Sequence, residues 1–288
     1  MKLLSYCRKG EVSFGIGKSN GVIDLGERLK NKLPAKTIIS FLTFFGYETL
    51  EKFVNYPIDF SYSDITFLPV IPSPNKILCI GLNYEKHRIE TQRDVAGYPT
   101  IFTRFADTQV AHNQYLVKPN ASDRFDFEGE LAIIIGKGGR NIPKETAMNH
   151  IAGYSCYNDG SIRDWQRHTS QFTPGKNFPQ TGAFGPFLTL KETIKNYKKL
   201  TIQTRLNDVI VQDAVLDQLI FDIPSIVSYC SSFNCLNIGD VIVTGTPGGV
   251  GDRREPPLYL KKGDIIEVDI SEVGLLRNFV INESEILT

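Results

Sequence analysis

The chain has 288 residues, 41% hydrophobic and 22% charged, with 32 basic and 32 acidic side chains and a formal net charge of zero. These values exclude disordered and fibrous classes, and the charge balance leaves no basic excess for a nucleic-acid surface. No apolar run approaches the roughly 18 residues that cross a bilayer, and Met1 to Tyr6 is too short a run for a secretory signal, so a cytoplasmic enzyme with no membrane partner is the default expectation.

Along residues 1–72, Leu3–Tyr6, Val12–Ile16 and Val22–Leu25 read as short strands separated by Gly-rich turns, followed by helical patches at Thr37–Leu42 and Glu48–Val54. The Pro-rich stretch Leu68 to Pro74 cannot be a central strand and reads as a linker. This predicts a small α+β module at 1–72 and a larger domain at 73–288. In the larger part, Lys76–Ile80, Leu131–Ile135, Asp240–Thr244 and Ile265–Ile270 are the clearest strands. Helices are expected at Asn83–Thr91, Lys144–His150, Ser161–His168 and Ile223–Ser232. Without regular strand–helix alternation a doubly wound sheet is disfavoured, and a β-rich α+β fold fits best. The five cysteines, Cys7, Cys79, Cys156, Cys230 and Cys235, are scattered and form no zinc-ribbon or disulfide pattern.

The most informative stretch is Asp126-Phe127-Glu128-Gly129-Glu130, which runs into Leu131–Ile135. In a strand, residues two apart share a face, so Asp126, Glu128 and Glu130 project together. Carboxylates so placed lie about 7 Å apart and repel unless a cation sits among them. A solvated strand edge guarded by charges produces the same pattern. Oxygen ligands alone select Mg²⁺, Mn²⁺ or Ca²⁺ over zinc. Asp159, after a strand-like run, is either a third carboxylate or a turn and N-cap residue. His87 and Glu90 fall on one helical face, as a base with its orienting carboxylate or as part of an exposed salt-pair cluster with Glu85, Lys86 and Arg88. The stretch from Arg88 to about Tyr98 has few apolar anchors, and Gly97 gives it a flexible point, so it is expected to close over a ligand.

Taken in order, these segments resemble the fumarylacetoacetate hydrolase superfamily. The resemblance starts at Gly81-Leu82-Asn83-Tyr84, with His87 and Glu90 in its G-x-N-Y-x-x-H-x-x-E. It continues through Pro99–Phe102, Asp126–Leu131, Asn158–Gln166, Gly175-Lys176 and Gly185-Pro186, then Gly239-Asp240, Thr244–Gly251, Gly263-Asp264 and Gly274–Asn278. It covers essentially Lys76 to the end. It implies a mixed β-roll domain, a homodimer, and a Mg²⁺, Mn²⁺ or Ca²⁺ ion held by Glu128, Glu130 and Asp159. It further implies His87, Glu90 and Lys176 as catalytic residues and Arg163, Gln166 and Thr246 as ligands of a small 2-oxo acid substrate. The activity expected is hydrolysis of a carbon–carbon bond in an acylpyruvate. Oxaloacetate decarboxylation, hydroxymuconate-type isomerisation and sugar-acid dehydration are alternatives on the same site, and a keto-acid or metal-binding protein is the non-enzymatic one. Departures are Arg104, where lysine is commoner, Ala214-Val215-Leu216, and mild changes at Gly160 and Ile162.

Overall fold

The apolar run behind the acidic segment becomes the centre of the fold. In the computed structural model, which describes residues 1–91, 94 and 97–286, strand Gly129–Ile135 is buried along its whole length. It pairs antiparallel with Ile151–Asn158 on one side and Val241–Val243 on the other, and Val241–Val243 pairs parallel with Ile77–Gly81. A strand flanked on both sides and covered on both faces has no polar face, which is why β-branched residues fill it.

Register determines where the chemistry sits. Gly129 lies opposite Asn158, Ala132 opposite Val243, and Val243 opposite Cys79. The start of Gly129–Ile135 therefore meets the ends of Ile151–Asn158, Val241–Val243 and Ile77–Gly81 at one edge of the sheet.

The N-terminal strands continue this sheet. Lys2–Arg8 pairs antiparallel with Gly182–Leu190, which itself pairs with Ile151–Asn158, and Glu11–Gly17 and Gly21–Asp24 extend the order outward. Leu3, Phe14 and Phe41 share one buried cluster with Ala132 and Ile134. The Pro-rich stretch is irregular but anchored: Val70 and Ile71 are buried, and Ser5 Oγ donates to the Val70 carbonyl at 2.8 Å. On the far side Thr100–Arg104 runs back along Ile77–Gly81, and shortly afterwards Gln109–Val110 pairs with Gly182–Leu190, so the sheet curls on itself. A second sheet, ordered Val209–Val215, Thr201–Leu206, Ile265–Ile270, Gly274–Asn282, Tyr115–Lys118, packs against it through a cluster containing Leu131, Ile133, Ile202 and Val268.

The result is the strand-rich α+β fold expected. Helices are shorter than the sequence suggested. Helix Glu85–Glu90 starts after Asn83, whose side chain is engaged elsewhere, and Lys144–His150 is a 3-10 helix. Ser161–Ile162 is a strand paired with Phe125–Asp126, which leaves only Arg163–Gln166 helical. Helix Ile223–Phe233 has Asp222 accepting from Ser225 N–H and proline in its first turn, the chemistry of a well-marked start. The segment expected to close over a ligand includes residues 92, 93, 95 and 96, which lie outside the described residues.

Gly160, a mild departure on sequence grounds, is fixed by sterics. A Cβ there would come within 2.1 Å of the Thr181 carbonyl oxygen and 2.8 Å of the Phe125 ring. Gly160→Ala is expected to cost about 1–3 kcal/mol by overpacking and to displace the neighbouring Asp159. Calorimetry should show a lower Tm, and a Mg²⁺ titration a weaker site; an unchanged Mg²⁺ affinity would mean that the strand end tolerates the shift.

Candidate metal centre and active site

The acidic strand breaks where its chemistry begins. Strand Phe125–Asp126 ends and Gly129–Ile135 starts after a two-residue break at Phe127 and Glu128, so Asp126 does not share a face with Glu128 and Glu130. The alternation expected for the three acids is corrected here. Asp126 instead accepts from the Gly251 N–H at 2.8 Å, the Asp252 N–H at 2.9 Å and Arg163 Nε at 2.7 Å. It clamps the Gly-rich turn to Arg163.

Pairing of Gly129 with Asn158 carries Asp159 alongside, where its N–H donates to the Glu128 carbonyl at 2.8 Å. One carboxylate oxygen each from Glu128, Glu130 and Asp159 lie within 4.8 Å of one another, and all three residues are buried. Such crowding sets their charge states. Burial, with Asp159 and Glu128 as like charges, holds the Glu130 carboxyl well above its ordinary range, although the Gly245 N–H donates to it. Burial pushes Glu128 the same way, but Lys176 and Arg163 outweigh it and bring its pKa down to about 2. Lys176 Nζ lies 2.7 Å from both Glu128 and Asp159, and Arg163 is 2.7 Å from Glu128. Glu130 makes no ion pair among the described residues. Three buried carboxylates, oxygen-only donors and one acid lacking a cation of its own fit a hard divalent ion.

Arg104, which stands where lysine is commoner in the family's motif, lies inside this centre. It is buried; Nη1 donates to Asp159 Oδ1 and to the Gly160 carbonyl, both at 2.8 Å, and Nη2 to Thr181 Oγ1 at 2.9 Å. Asp159 thus has a cation on each oxygen, Arg104 on Oδ1 and Lys176 on Oδ2. The curl of the sheet delivers Arg104, and no local pattern signals it.

Asn83 staples the approach to the dyad, donating to the Thr244 and Phe221 carbonyls and accepting from the Phe221 N–H. The helix that follows carries His87, which is buried, with Nδ1 3.2 Å from Glu90 Oε2. Glu90 also accepts from the Gly249 N–H. Burial and this second anchor distinguish the pair from the exposed salt pair of Arg88 with Glu85.

His87, Lys176, Glu128 and Glu130 line one cavity of about 670 Å³, together with Arg163, Gln166 and Thr246, the three residues expected to bind substrate. Arg163 Nη1 donates to Gln166 Oε1 at 2.9 Å, and Thr246 Oγ1 accepts from Gln212 while donating to the Gly129 carbonyl. Asp159 and Glu90 stand behind the wall. The lining also contains Leu82, Phe102, Phe172, Arg167, Asp252 and Arg253, none of which was singled out as a site residue in the sequence. Leu82 is the one with a local oddity, a left-handed φ of 58°; such backbone clusters at functional sites.

Residues 76–281 match the family model for the Fumarylacetoacetate (FAA) hydrolase C-terminal domain. The chain belongs to the fumarylacetoacetate hydrolase family. It is 40% identical over 223 residues to the mitochondrial oxaloacetate tautomerase fahd2 of Xenopus laevis, covering 77% of this chain and 70% of that protein. It is 37% identical over 272 residues to the mitochondrial oxaloacetate tautomerase FAHD2A of Bos taurus, covering 92% and 85%. The solved fumarylacetoacetate hydrolase of psychrophilic Exiguobacterium antarcticum shares the fold at a TM-score of 0.81 and 29% identity, covering 98% of this chain and 100% of that one. Both named relatives are mitochondrial, whereas the sequence alone suggested cytoplasm. Among the described residues no helix is long and apolar enough to cross a membrane.

Two outcomes are expected of this family member's centre. Breaking a buried ion pair by removing one partner costs about 3–5 kcal/mol, and loss of a group that orients a metal ligand weakens the metal about 10–100-fold. Arg104→Met should show both by calorimetry and Mg²⁺ titration, with Arg104→Lys recovering part of each; a Met variant as stable as the wild type would remove Arg104 from the centre. The second concerns pH. The folded, metal-free chain holds the Glu130 proton more tightly than the unfolded chain. That contribution to stability is therefore lost as pH rises through the folded pKa. A cation needs the ionised form, so the Mg²⁺-induced rise in Tm should grow with pH. Glu130→Gln should flatten that trend in a thermal-shift series.

Proposed function

We propose that this protein enolises a small 2-oxo acid in the cavity, and that tautomerisation of oxaloacetate is its reaction. The observation that carries the reading is the buried oxygen-only trio Glu128, Glu130 and Asp159 opening beside His87 and Lys176. Two relatives named oxaloacetate tautomerase, 40% and 37% identical, support the choice of reaction.

In this reading Glu128, Glu130 and Asp159 hold Mg²⁺ or Mn²⁺, with Arg104 and Lys176 keeping the Asp159 carboxylate in place. When bound, that ion supplies polarisation of the keto oxygen and counter-charge for the enolate. Arg163, Gln166 and Thr246 orient the carboxylate of the 2-oxo acid. Glu90 engages His87 Nδ1 and leaves Nε2 for the cavity. Nε2 takes a proton from C3, Glu90 stabilises the imidazolium, and Lys176 offsets the developing oxygen charge. The enol oxygen takes its proton from cavity water and His87 returns its own to solvent, so one proton leaves carbon and one arrives at oxygen.

Hydrolysis of an acylpyruvate is the second reading, favoured by the same dyad. A buried histidine oriented by Glu90 also suits activation of water against a distal carbonyl.

The test is the rate of keto–enol exchange of oxaloacetate, followed by absorbance in Mg²⁺-loaded protein, beside acylpyruvate cleavage. His87→Ala should lose about 10²–10⁴-fold of the tautomerase rate, and Glu128→Ala should abolish it. Exchange at the background rate, with rapid acylpyruvate cleavage, would replace the first reading by the second. Full activity in excess chelator would remove the metal from both.

A further inference from the structure

We infer that Arg253 and Arg167 form a second anion site at the outer end of the cavity, which selects 2-oxo acids carrying a distal carboxylate. The inference rests on the 2-oxo acid reading above and adds the residues that determine substrate specificity.

The inner cations are already committed. Arg163 serves Asp126 and Glu128, Lys176 serves Glu128 and Asp159, and Arg104 sits on Asp159. None of them is left for a second charge on the substrate. At the outer end the balance differs. Among the described residues Asp252 is the one acid there that lines the cavity, and it faces two guanidinium groups. Arg167 Nη2 pairs closely with Asp252 Oδ2, whereas Arg253 approaches the same oxygen only through Nε at 3.7 Å. That distance is an ionic contact and not a hydrogen bond. The Arg253 side chain makes no hydrogen bond among the described residues. One carboxylate thus balances one arginine, and a positive charge with unspent donors remains at the opening.

Its setting is built and held. The Asp252 side chain is 5% exposed, while those of Arg167 and Arg253 are 45% and 37% exposed, so the acid is fixed and the cations are reachable. Asp252 accepts from the Tyr259 hydroxyl at 2.8 Å, and its N–H donates to Asp126. Asp126 also grips Arg163. A single buried carboxylate therefore ties the outer turn Gly251–Arg253 to the inner arginine. Phe172 and Val250 supply apolar wall in the same cavity, suited to the carbon chain of a substrate whose two ends are anionic. A guanidinium presents paired donors that match a carboxylate in fork geometry.

Calorimetry on the Mg²⁺-loaded full chain tests this with two stable pairs differing in the distal carboxylate: 2-oxoglutarate against 2-oxopentanoate, and 2-oxoadipate against 2-oxohexanoate. Hydrogen bonds to charged groups predict that at least one dicarboxylate binds about tenfold more tightly than its partner. Arg253→Gln should bring that ratio near one, and Asp252→Asn, which releases both arginines, should raise it. A wild-type ratio near one overturns the inference while leaving the 2-oxo acid reading intact. So does an Arg253→Gln variant that keeps the ratio, or that weakens both members of a pair alike. If no 2-oxo acid of either pair binds, the reading beneath falls as well.

Discussion

Three carboxylates with ligand oxygens inside 4.8 Å, all withdrawn from water, are tolerable only where cations surround them. Each isolated buried charge costs several kcal/mol before compensation, so the rest of the site reads as the means of compensating them. Lys176 and Arg104 come from two segments distant in the chain and close on the two oxygens of Asp159. Arg163 joins Lys176 on Glu128. Among the described residues Glu130 has a backbone N–H and no ion pair, and burial together with the like charges of Asp159 and Glu128 keeps its carboxyl pKa raised. A divalent ion at the trio, as proposed above, would thus complete the charge balance of the fold.

The sheet exists in a form that makes this possible. Two antiparallel neighbours of Gly129–Ile135, with Ile77–Gly81 running parallel beside one of them, Val241–Val243, bring four strand ends to one edge. The curl through Gln109–Val110 returns the far edge to the same place. Loops alone would not hold several charged groups within hydrogen-bonding distance of each other; strand ends anchored in a fully buried core do.

How far this was legible varied with the range of the interaction. The strand Leu131–Ile135 and the acids before it were visible because apolar run and charge are local signals. His87 and Glu90 were visible as a spacing, but spacing could not tell a buried dyad from an exposed pair; the Gly249 contact that separates the two readings crosses most of the chain. Asp126 misled because period-2 alternation assumes an unbroken strand, and the break at Phe127–Glu128 is fixed by partners at Arg163 and Gly251. Arg104 was noticed only as an unusual residue, since its role depends on curvature. Arg253 and Arg167 were silent, as exposed arginines usually are.

Asp126 shows how one such long-range partner couples the parts. It is not among the clustered ligand atoms, yet its two oxygens accept from the Gly251 and Asp252 N–H groups and from Arg163. Arg163 in turn touches Glu128, and Asp252 touches the outer arginine Arg167. Displacement of the Gly-rich turn would therefore be felt at a carboxylate of the centre and at the mouth of the cavity together. Gly251 has to be glycine for this: a Cβ there would lie 1.7 Å from the Leu258 carbonyl oxygen and 2.7 Å from Asp126 Oδ1. The turn that closes on a buried acid without room for a side chain is what ties the inner and outer ends of the cavity together, and on the reading proposed above it is this tie that would let both ends of a 2-oxo acid be met at once.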